Sequence, residues 1–521
     1  MAYGFVIRKS QYYDSVFLMR IAKTLDEEPG VTQSAVLMAT DPNKDLLAEI
    51  GITAPAIDEA SPNDLVVALI AEDEAIIEHL IGSIDERLQM VSGTKKSTHF
   101  RSVDEATTAF PESNLVIISV PGPYAAREAR KALEQDKHVF IFSNNVPVDQ
   151  EVELKQMARE RDRLVMGPDC GTSLIGGVGI GFANLVRRGP IGVVGASGTG
   201  IQEFTSLVHQ AGSGISHAIG TGTHDLSNAV GGITTMMGID ALEADPATRA
   251  IAIVSKPAEH ATLELLIERI RECQKPVVGC FLGLQEQLPG VGERFRQAKT
   301  IDEAVQLALQ LVQNGHHVRA ESPEHNAPET IRQEMANWRP EQRYLRGLFA
   351  GGSFCYQTQQ VLRDAGLNTY SNTPLDKRYK LENPEVSIEH SVIDLGDDHF
   401  TQGKPHPMID STERSKRILA EAADPEVAIL LLDFILGFGS SPDPVGVLIE
   451  AIRQAKAIAE QRGGVLTVVA SVCGTDQDPQ GLARQKTLLE QAGAHVFPSS
   501  FQAARFCAEL LTAATGGTHG K

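Results

Sequence analysis

Cysteine is scarce in this chain and tryptophan almost absent, with six and one among 521 residues. The six thiols (Cys170, Cys273, Cys280, Cys355, Cys473 and Cys507) form no CxxC pair. That excludes a zinc ribbon or a disulfide scaffold and fits reduced thiols in a cytosol. No apolar run reaches the roughly 18 residues that a membrane span needs. The longest, VAILLLDFILGFG, is broken by Asp433. The opening MAYGFVIRKSQYYDS lacks the charged-then-apolar layout of a signal peptide, so a cytoplasmic protein is expected. Basic residues are also short, with 47 Lys and Arg against 67 Asp and Glu and a net charge of −20. That balance excludes nucleic acid and anionic membranes as partners. An anionic ligand needs a local site that works against the whole-chain field, and the N–H groups of a helix start can supply one.

What is present is ordinary globular composition, 42% hydrophobic and 22% charged. The length suggests roughly three to four domains. From NLVIISV onward, short apolar runs alternate with amphipathic stretches such as PYAAREARKALEQDK and VPVDQEVELKQMARERD. That alternation implies βαβ units and doubly wound parallel sheets. Asp41-Pro42-Asn43-Lys44 reads as a turn, GGVGIGFANLVRRGP as an inter-domain linker, and HHVRAESPEHNAPET as a second, His-containing linker. The tail ATGGTHGK reads as disordered. The later units look like copies. EADPATRAIAIVSK (243–256) parallels EAADPEVAILLLDF (421–434), and SHAIGTGTHDLS (216–227) parallels HSVIDLGDDHFT (390–401). Duplicated domains are expected from repeats of this size.

The strongest chemical signal is IGVVGASGTGIQEFTSLVHQAG, an apolar strand, a Gly/Ser/Thr turn and an amphipathic helix. Its glycines admit an anion to the backbone, and the helix start favours negative charge. Ser197, Gly198, Thr199 and Gly200 are therefore phosphate-binding candidates; a ligand-free capped turn is the alternative. Neither a P-loop nor a G-x-G-x-x-G fingerprint fits. Gly439, Ser440 and Ser441 in ILGFGSSPDPVG read as a second helix-start anion site. Gly351-Gly352-Ser353 is a third such turn, a candidate for the same cleft. Asp394, Asp397 and Asp398 end the strand VIDLGDD, and Asp397 and Asp398 are candidates to hold Mg²⁺ with a phosphate, or simply to cap a turn. His406 in GKPHPMID is a general acid or base candidate, with a loop histidine as its alternative. Lys256 suits an anionic ligand, or is a surface lysine. Lys44, Asp169, Cys170 and Lys404 are candidate substrate or CoA contacts. For Cys170 a packed thiol is the alternative, because a reactive one needs a nearby cation or helix start.

These motifs carry a resemblance. LVMGPDCGT, a Gly-rich stretch and IGVVGASGTG follow one another as in the α subunit of succinyl-CoA synthetase, and the flanking ISVPGPYAAREARKAL and SNNVPVDQEVELKQMA are similar to its CoA-binding domain. The unit with VIDLGDDHF and AILLLDFILGFGSSPDPVG resembles the β subunit's ligase domain. YYDSVFLM, VMGPDCGTS, GASGTG, DLGDD, GKPHPMID and GFGSSPDP are similar to motifs of the FdrA family, which joins such parts in one chain. The resemblance implies Rossmann-like and flavodoxin-like domains. They would be a CoA-binding-like domain at 1–185 with an irregular N-terminal part, ligase-like domains at 190–320 and 343–515, and a linker at 321–342.

The departures limit what carries over. The synthetase bears a phosphate-carrying histidine after its KPVVG-like strand; here that region reads FLGLQEQLPGVGERFRQAKT, without histidine. His316 and His317 come later, in the polar linker. RKSQYYDSVFLM lacks the synthetase's first Gly-rich loop, which sets the CoA expectation against a missing cradle. By resemblance, FdrA-type proteins take part in oxamate carbamoyltransferase with separate partner subunits. Carbamoyl transfer between carbamoyl phosphate, or another acyl phosphate, and a small amide or amine is thus one expectation, in a homo- or hetero-oligomer. An acyl-CoA synthetase using CoA and a nucleotide is the second. A non-catalytic binding subunit is the third.

Overall fold

The computed structural model describes the chain except for positions 1, 10, 12, 14, 27, 92–99, 101, 285, 313–327, 403 and 515–521. It forms two units, Met1–Ala106 with Gln402–Pro405, and Thr107–Thr401 with His406–Lys521.

In the first unit, β1 (Ala2–Arg8), β2 (Val31–Met38) and β3 (Leu65–Ala71) pair antiparallel in the order β1-β3-β2. The central strand LVVALIA is apolar throughout because both of its faces are covered. Leu65, Val67 and Leu69 join one core cluster with Leu18, Ile21 and Leu25; Val66 and Ala68 join the other with Leu47 and Ile57. The two-residue period sorts one strand between two cores. The stretch read as a turn around Lys44 instead opens a helix, Asp41–Glu49, with proline in its first turn, where no N–H is needed.

In the second unit, β4 (Leu115–Ile118), β5 (His138–Ile141) and β6 (Val165–Met166) form a three-stranded parallel sheet. The expected single Rossmann-like domain at 1–185 is therefore divided: part is the antiparallel unit, part is this short sheet, and its end joins another sheet. That end is β7 (Thr172–Ile175) and β8 (Val178–Gly181), an antiparallel hairpin. Gly176 and Gly177 take φ of 61° and 88° at its turn, a region that favours glycine. The stretch expected to be a linker is thus built into a sheet.

That sheet continues with β9 (Arg188–Gly195), β10 (Ile215–Gly220), β11 (Ala250–Ser255), β12 (Val277–Phe281) and β13 (Phe295–Ala298), in the order β13-β12-β11-β9-β10-β7-β8. A further sheet holds β14 (Tyr344–Phe349), β15 (Ser391–Asp394), β16 (Val427–Ile435), β17 (Thr467–Cys473) and β18 (Ala494–Phe497), in the order β15-β14-β16-β17-β18. Counted within each sheet, the five parallel strands run 2-1-3-4-5, the flavodoxin-like order. The repeated segments fall on matching strands, β10 with β15 and β11 with β16, as duplication requires. All six residues of β11 and all nine of β16 are buried, as helices on both faces demand. Within the expected linker 321–342 the described part holds a helix, Pro328–Ala336. His316, His317 and the tail from 515 lie outside the described residues. No helix among the described residues is long and apolar enough to cross a membrane.

The helices following the first strand of each sheet, Gly198–Gln210 and Gly352–Asp364, adjoin. The Ser197 and Ser353 hydroxyls share a hydrogen bond, and Gln357 Nε2 donates to Glu203 Oε2 at 3.3 Å. Glu203 is 1% exposed. Burial and the nearby Asp302 charge raise its carboxyl to about 8, against the Ser500 N–H that it accepts. A glutamate in the unfolded chain titrates near ~4.3. Between those values the folded state holds a proton that the unfolded state lacks, so rising pH favours unfolding across this window. Glu203→Gln, which mimics the neutral acid, removes that loss. Its melting temperature relative to wild type should climb from pH 5 to pH ~8.5; a pH-independent difference would contradict the assignment.

Candidate functional site

Each duplicated sheet carries a Gly-rich turn after its first strand, 195–200 after β9 and 350–353 after β14. A Cβ on Gly195 would meet the Val254 carbonyl oxygen at 2.1 Å, and one on Gly200 would meet Ser197 Oγ at 2.7 Å. Backbone excludes any side chain at Gly195, and one at Gly200 would displace the Ser197 hydroxyl. Ser197 then caps its helix, its Oγ accepting from Gly200 N at 3.0 Å. The second turn is pinned from below. Buried Asp433 accepts from Ala350 N at 2.9 Å and Gly351 N at 2.8 Å, and its charge is matched by Arg414 at 2.7 Å. The turns touch: Thr199 Cγ2 lies 3.1 Å from where a Gly351 Cβ would stand.

The amides of Gly198, Thr199, Gly352 and Ser353 remain in the first helical turns, where no carbonyl precedes them, and among the described residues none has a protein acceptor. Two helix starts thus offer free N–H groups beside the Ser197 and Ser353 hydroxyls, at the switch point where such sheets bind ligands. Buried hydroxyls without partners surround the same sheet edge: Thr172, Thr221 and Ser255. Orphaned polar groups of this kind mark a place for a ligand or water.

Lys256 follows β11. It is exposed, with Nζ 5.1 Å from the centroid of the Tyr356 ring on the second helix. Asp394 ends β15. Burial pushes its carboxyl up to about 7 against the pull of Lys256, while Oδ1 accepts from Gly396 N at 2.9 Å. Its Oδ2 lies 2.6 Å from where a Gly352 Cβ would stand. Asp394 is therefore a carboxyl that changes protonation near neutral pH beside the second turn.

His406 comes to the same turn, its Nε2 2.7 Å from where a Gly396 Cβ would stand. Burial lowers its pKa to about 4, so it is neutral near pH 7. Nδ1 accepts from Met408 N at 3.2 Å, which leaves the ring proton on Nε2. Of the general acid or base roles expected of it, the structure presents a neutral ring with its N–H on Nε2.

Other expected residues fare differently. Gly439, Ser440 and Ser441 follow the third strand of their sheet, not a first strand, and the next helix starts only at Ile449. Ser441 N donates to Met408 O at 2.8 Å, so this is a packed loop and not a helix-start site. Cys170 is 2% exposed, and burial raises its thiol to about 12, which makes it a packed thiol. Its neighbour Asp169 does face the cleft. Its carboxyl is raised by desolvation, eased by a hydrogen bond from Thr223 and by Lys256. Lys44 Nζ donates to the Asp58 carbonyl at 2.9 Å in the first unit, and Lys404 also belongs to that unit. Asp397 Oδ1 accepts from His399 N at 3.1 Å as a cap, and Asp398 Oδ1 accepts from Asn144 Nδ2 at 3.0 Å. Among the described residues no group of three or more His, Cys, Asp or Glu could hold a metal.

Sequence reasoning missed Asp433 as the anchor of the second turn, seeing only a break in an apolar run. It also passed over His224, inside the repeated SHAIGTGTHDLS. The internal repeat held a signal for the latter, since His224 aligns with Asp398.

Comparison with known proteins adds the family context. Residues 348–510 match the family described as CoA-ligase, 186–277 the CoA binding domain, and 1–105 the AllF, heavy metal-associated domain. The CoA-binding match falls on what the sequence suggested as the first ligase-like unit. YahF of Escherichia coli (strain K12) is 42% identical over 515 residues, covering 98% of this chain and 99% of that one. The α subunit of ADP-forming succinate–CoA ligase from Methanothermobacter thermautotrophicus is 29% identical, over 35% of this chain and 62% of the subunit. Among solved structures, a dinucleotide-forming acetyl-coenzyme A synthetase 1 of Ca. Korarchaeum cryptofilum is 16% identical, with TM-score 0.31 over 77% of this chain and 83% of that one. The first unit does not suit a thiophilic metal, because no cysteine precedes Cys170. Nor does the short β4-β5-β6 sheet offer a phosphate cradle for CoA. At its one Gly-containing helix start, a Cβ on Gly122 would meet the carbonyl oxygens of Asn144 and Asn145 at 2.4 Å, acceptors where a phosphate needs donors.

Inorganic phosphate should bind this chain, and Ser197→Ala with Ser353→Ala should weaken it about tenfold by calorimetry, two neutral hydrogen bonds being worth roughly 1–3 kcal/mol. Unchanged affinity would remove these hydroxyls from the site.

Proposed function

The chain belongs to the family of Escherichia coli YahF, with CoA-binding and CoA-ligase domains in a succinyl-CoA synthetase-like arrangement, and we propose that within it this protein handles a preformed acyl phosphate. The reaction is carbamoyl transfer between carbamoyl phosphate and a small amide or amine, in either direction, with partner subunits. The observation that carries this reading is the pair of adjoining helix starts with four amides unpartnered among the described residues, together with a stretch FLGLQEQLPGVGERFRQAKT that has no histidine where the synthetase bears its phosphate carrier. The amides of Gly198, Thr199, Gly352 and Ser353 hold the phosphoryl oxygens, and Lys256 supplies the countercharge that a chain of net −20 otherwise lacks. Asp394, half-protonated near pH 7, donates to the departing phosphate. His406 adds a neutral N–H donor. Its Nε2 carries a proton and cannot accept a phosphoryl group without changing tautomer. CoA enters this reading only as the cosubstrate of the alternative.

An acyl-CoA synthetase is the second reading, favoured by the matches at 186–277 and 348–510. The chain, purified with and without its co-expressed partners, should release carbamoyl groups from carbamoyl phosphate in the absence of CoA and nucleotide. Asp394→Asn should lower kcat by roughly 10²-fold or more while phosphate still binds. Turnover that requires CoA, or an acid-labile phosphoprotein formed with ATP, would favour the second reading instead.

A further inference from the structure

A buried ionisable cluster lies at this sheet edge. Lys155, on the helix Val148–Glu160, is 0% exposed and donates to Glu151 Oε1 at 2.7 Å, Asp225 Oδ1 at 2.7 Å and the Thr221 carbonyl at 2.8 Å. Its three donors are thereby used. Asp225 is also full: it accepts from Thr234 N at 3.1 Å, and from Thr235 N at 2.9 Å and Thr235 Oγ1 at 2.6 Å. One cation thus faces two buried carboxylates. The surplus negative charge resides on Glu151 Oε2, which has no hydrogen-bond partner of its own and lies 3.5 Å from His224 Nδ1. A buried carboxylate left open on one side is costly unless something completes it. His224 does so from the surface, its side chain 52% exposed.

His224 belongs to the same cleft. Thr221 N donates to the Gly195 carbonyl at 2.9 Å, which fixes the end of β10 beside the phosphate turn. Thr223 hydrogen-bonds Asp169, and the charges of Asp398, His224 and Lys256 act on Asp169. Thr221 Oγ1, three residues before His224, is a buried orphan.

We propose that His224, oriented by Glu151, is the group that takes the proton from the attacking nitrogen of the acceptor. The inference rests on the acyl-phosphate reading above. The acceptor nitrogen forms a bond to the acyl carbon, the bond from that carbon to the phosphate oxygen breaks, and its electron pair leaves with phosphate. The acceptor's N–H proton passes to His224 Nε2. Glu151 holds the ring with its proton on Nδ1, which leaves the Nε2 lone pair outward, and it stabilises the imidazolium that forms. The groups that face His224 are Glu151 and Lys155 from one helix and Asp169 from the loop after β6. The contact with Glu151 is the largest influence, raising its pKa; burial opposes it, Asp169 adds to the rise, and Lys155 opposes. The site thus selects acceptors that carry a transferable N–H.

The test uses the full chain with its partners. His224→Gln, at a half-exposed position, should fold, lower kcat by ~10²-fold or more, leave KM for the acyl phosphate within about twofold, and abolish the acidic limb of the pH–rate profile. In Glu151→Gln that limb should move to lower pH. Nitrogen-15 spectra of the full chain alone should record the same downward shift in the His224 titration, without turnover. A His224→Gln enzyme with wild-type kcat and pH profile would overturn the proposal, as would a His224 titration unchanged by Glu151→Gln. Wild-type enzyme that turns over no acyl phosphate overturns the function proposed above, and the titration then decides the Glu151–His224 pair by itself.

Discussion

Two helix N-termini brought side by side repel one another, because each carries roughly half a positive charge. The helices starting at Gly198 and Gly352 do this, their caps sharing a hydrogen bond between Ser197 and Ser353. Much of the surrounding structure acts to hold that contact. Asp433 takes up the Ala350 and Gly351 amides, Arg414 balances Asp433, and Asp394 stands beside Gly352. What these side chains leave unsatisfied, among the described residues, is a set of four amides, the partner-seeking groups on which the proposed anion site rests.

The arrangement follows from duplication. Two domains of identical strand order each end their first strand in a Gly-rich turn, and packing the copies together puts equivalent turns against each other. Equivalence does not extend to chemistry. After the third strand, one copy presents Lys256 and the other the packed loop 436–441. After the second, one presents His224 and the other Asp398, which bonds Asn144. One copy therefore supplies the cation and His224, which Glu151 meets from the helix Val148–Glu160 between β5 and β6, and the other supplies Asp394 and the anchor Asp433.

Much of this was legible in the sequence. The turn 195–200, the repeat and the doubly wound α/β pattern all rest on local signals: glycine where backbone crowds, and apolar runs where strands are covered on both faces. Boundaries were less legible. The stretch 176–190, which holds the turn and second strand of the hairpin, reads as a Gly-rich linker because glycines at a tight turn and in a flexible connection look alike. The antiparallel first unit hides behind the same apolar β3 that a parallel strand would show. The loop 439–441 looked like a helix-start site because Gly-Ser-Ser precedes an apolar stretch. The intervening residues through Leu448 are not helical, and only register against β14 shows which turn is equivalent to 195–200. His406 and Cys170 depend on burial, which sequence spacing does not report. The Lys155 cluster joins residues 70 positions apart.

The central claim is that the two joined turns form one anion seat. A crystal structure of the chain soaked in tungstate would test it most directly, since the anomalous signal locates the ion without reference to activity. The account places the ion within hydrogen-bond distance of the Gly198, Thr199, Gly352 and Ser353 amides, with Lys256 nearby. A tungstate peak only elsewhere, such as at 439–441, with these amides unoccupied, would contradict it.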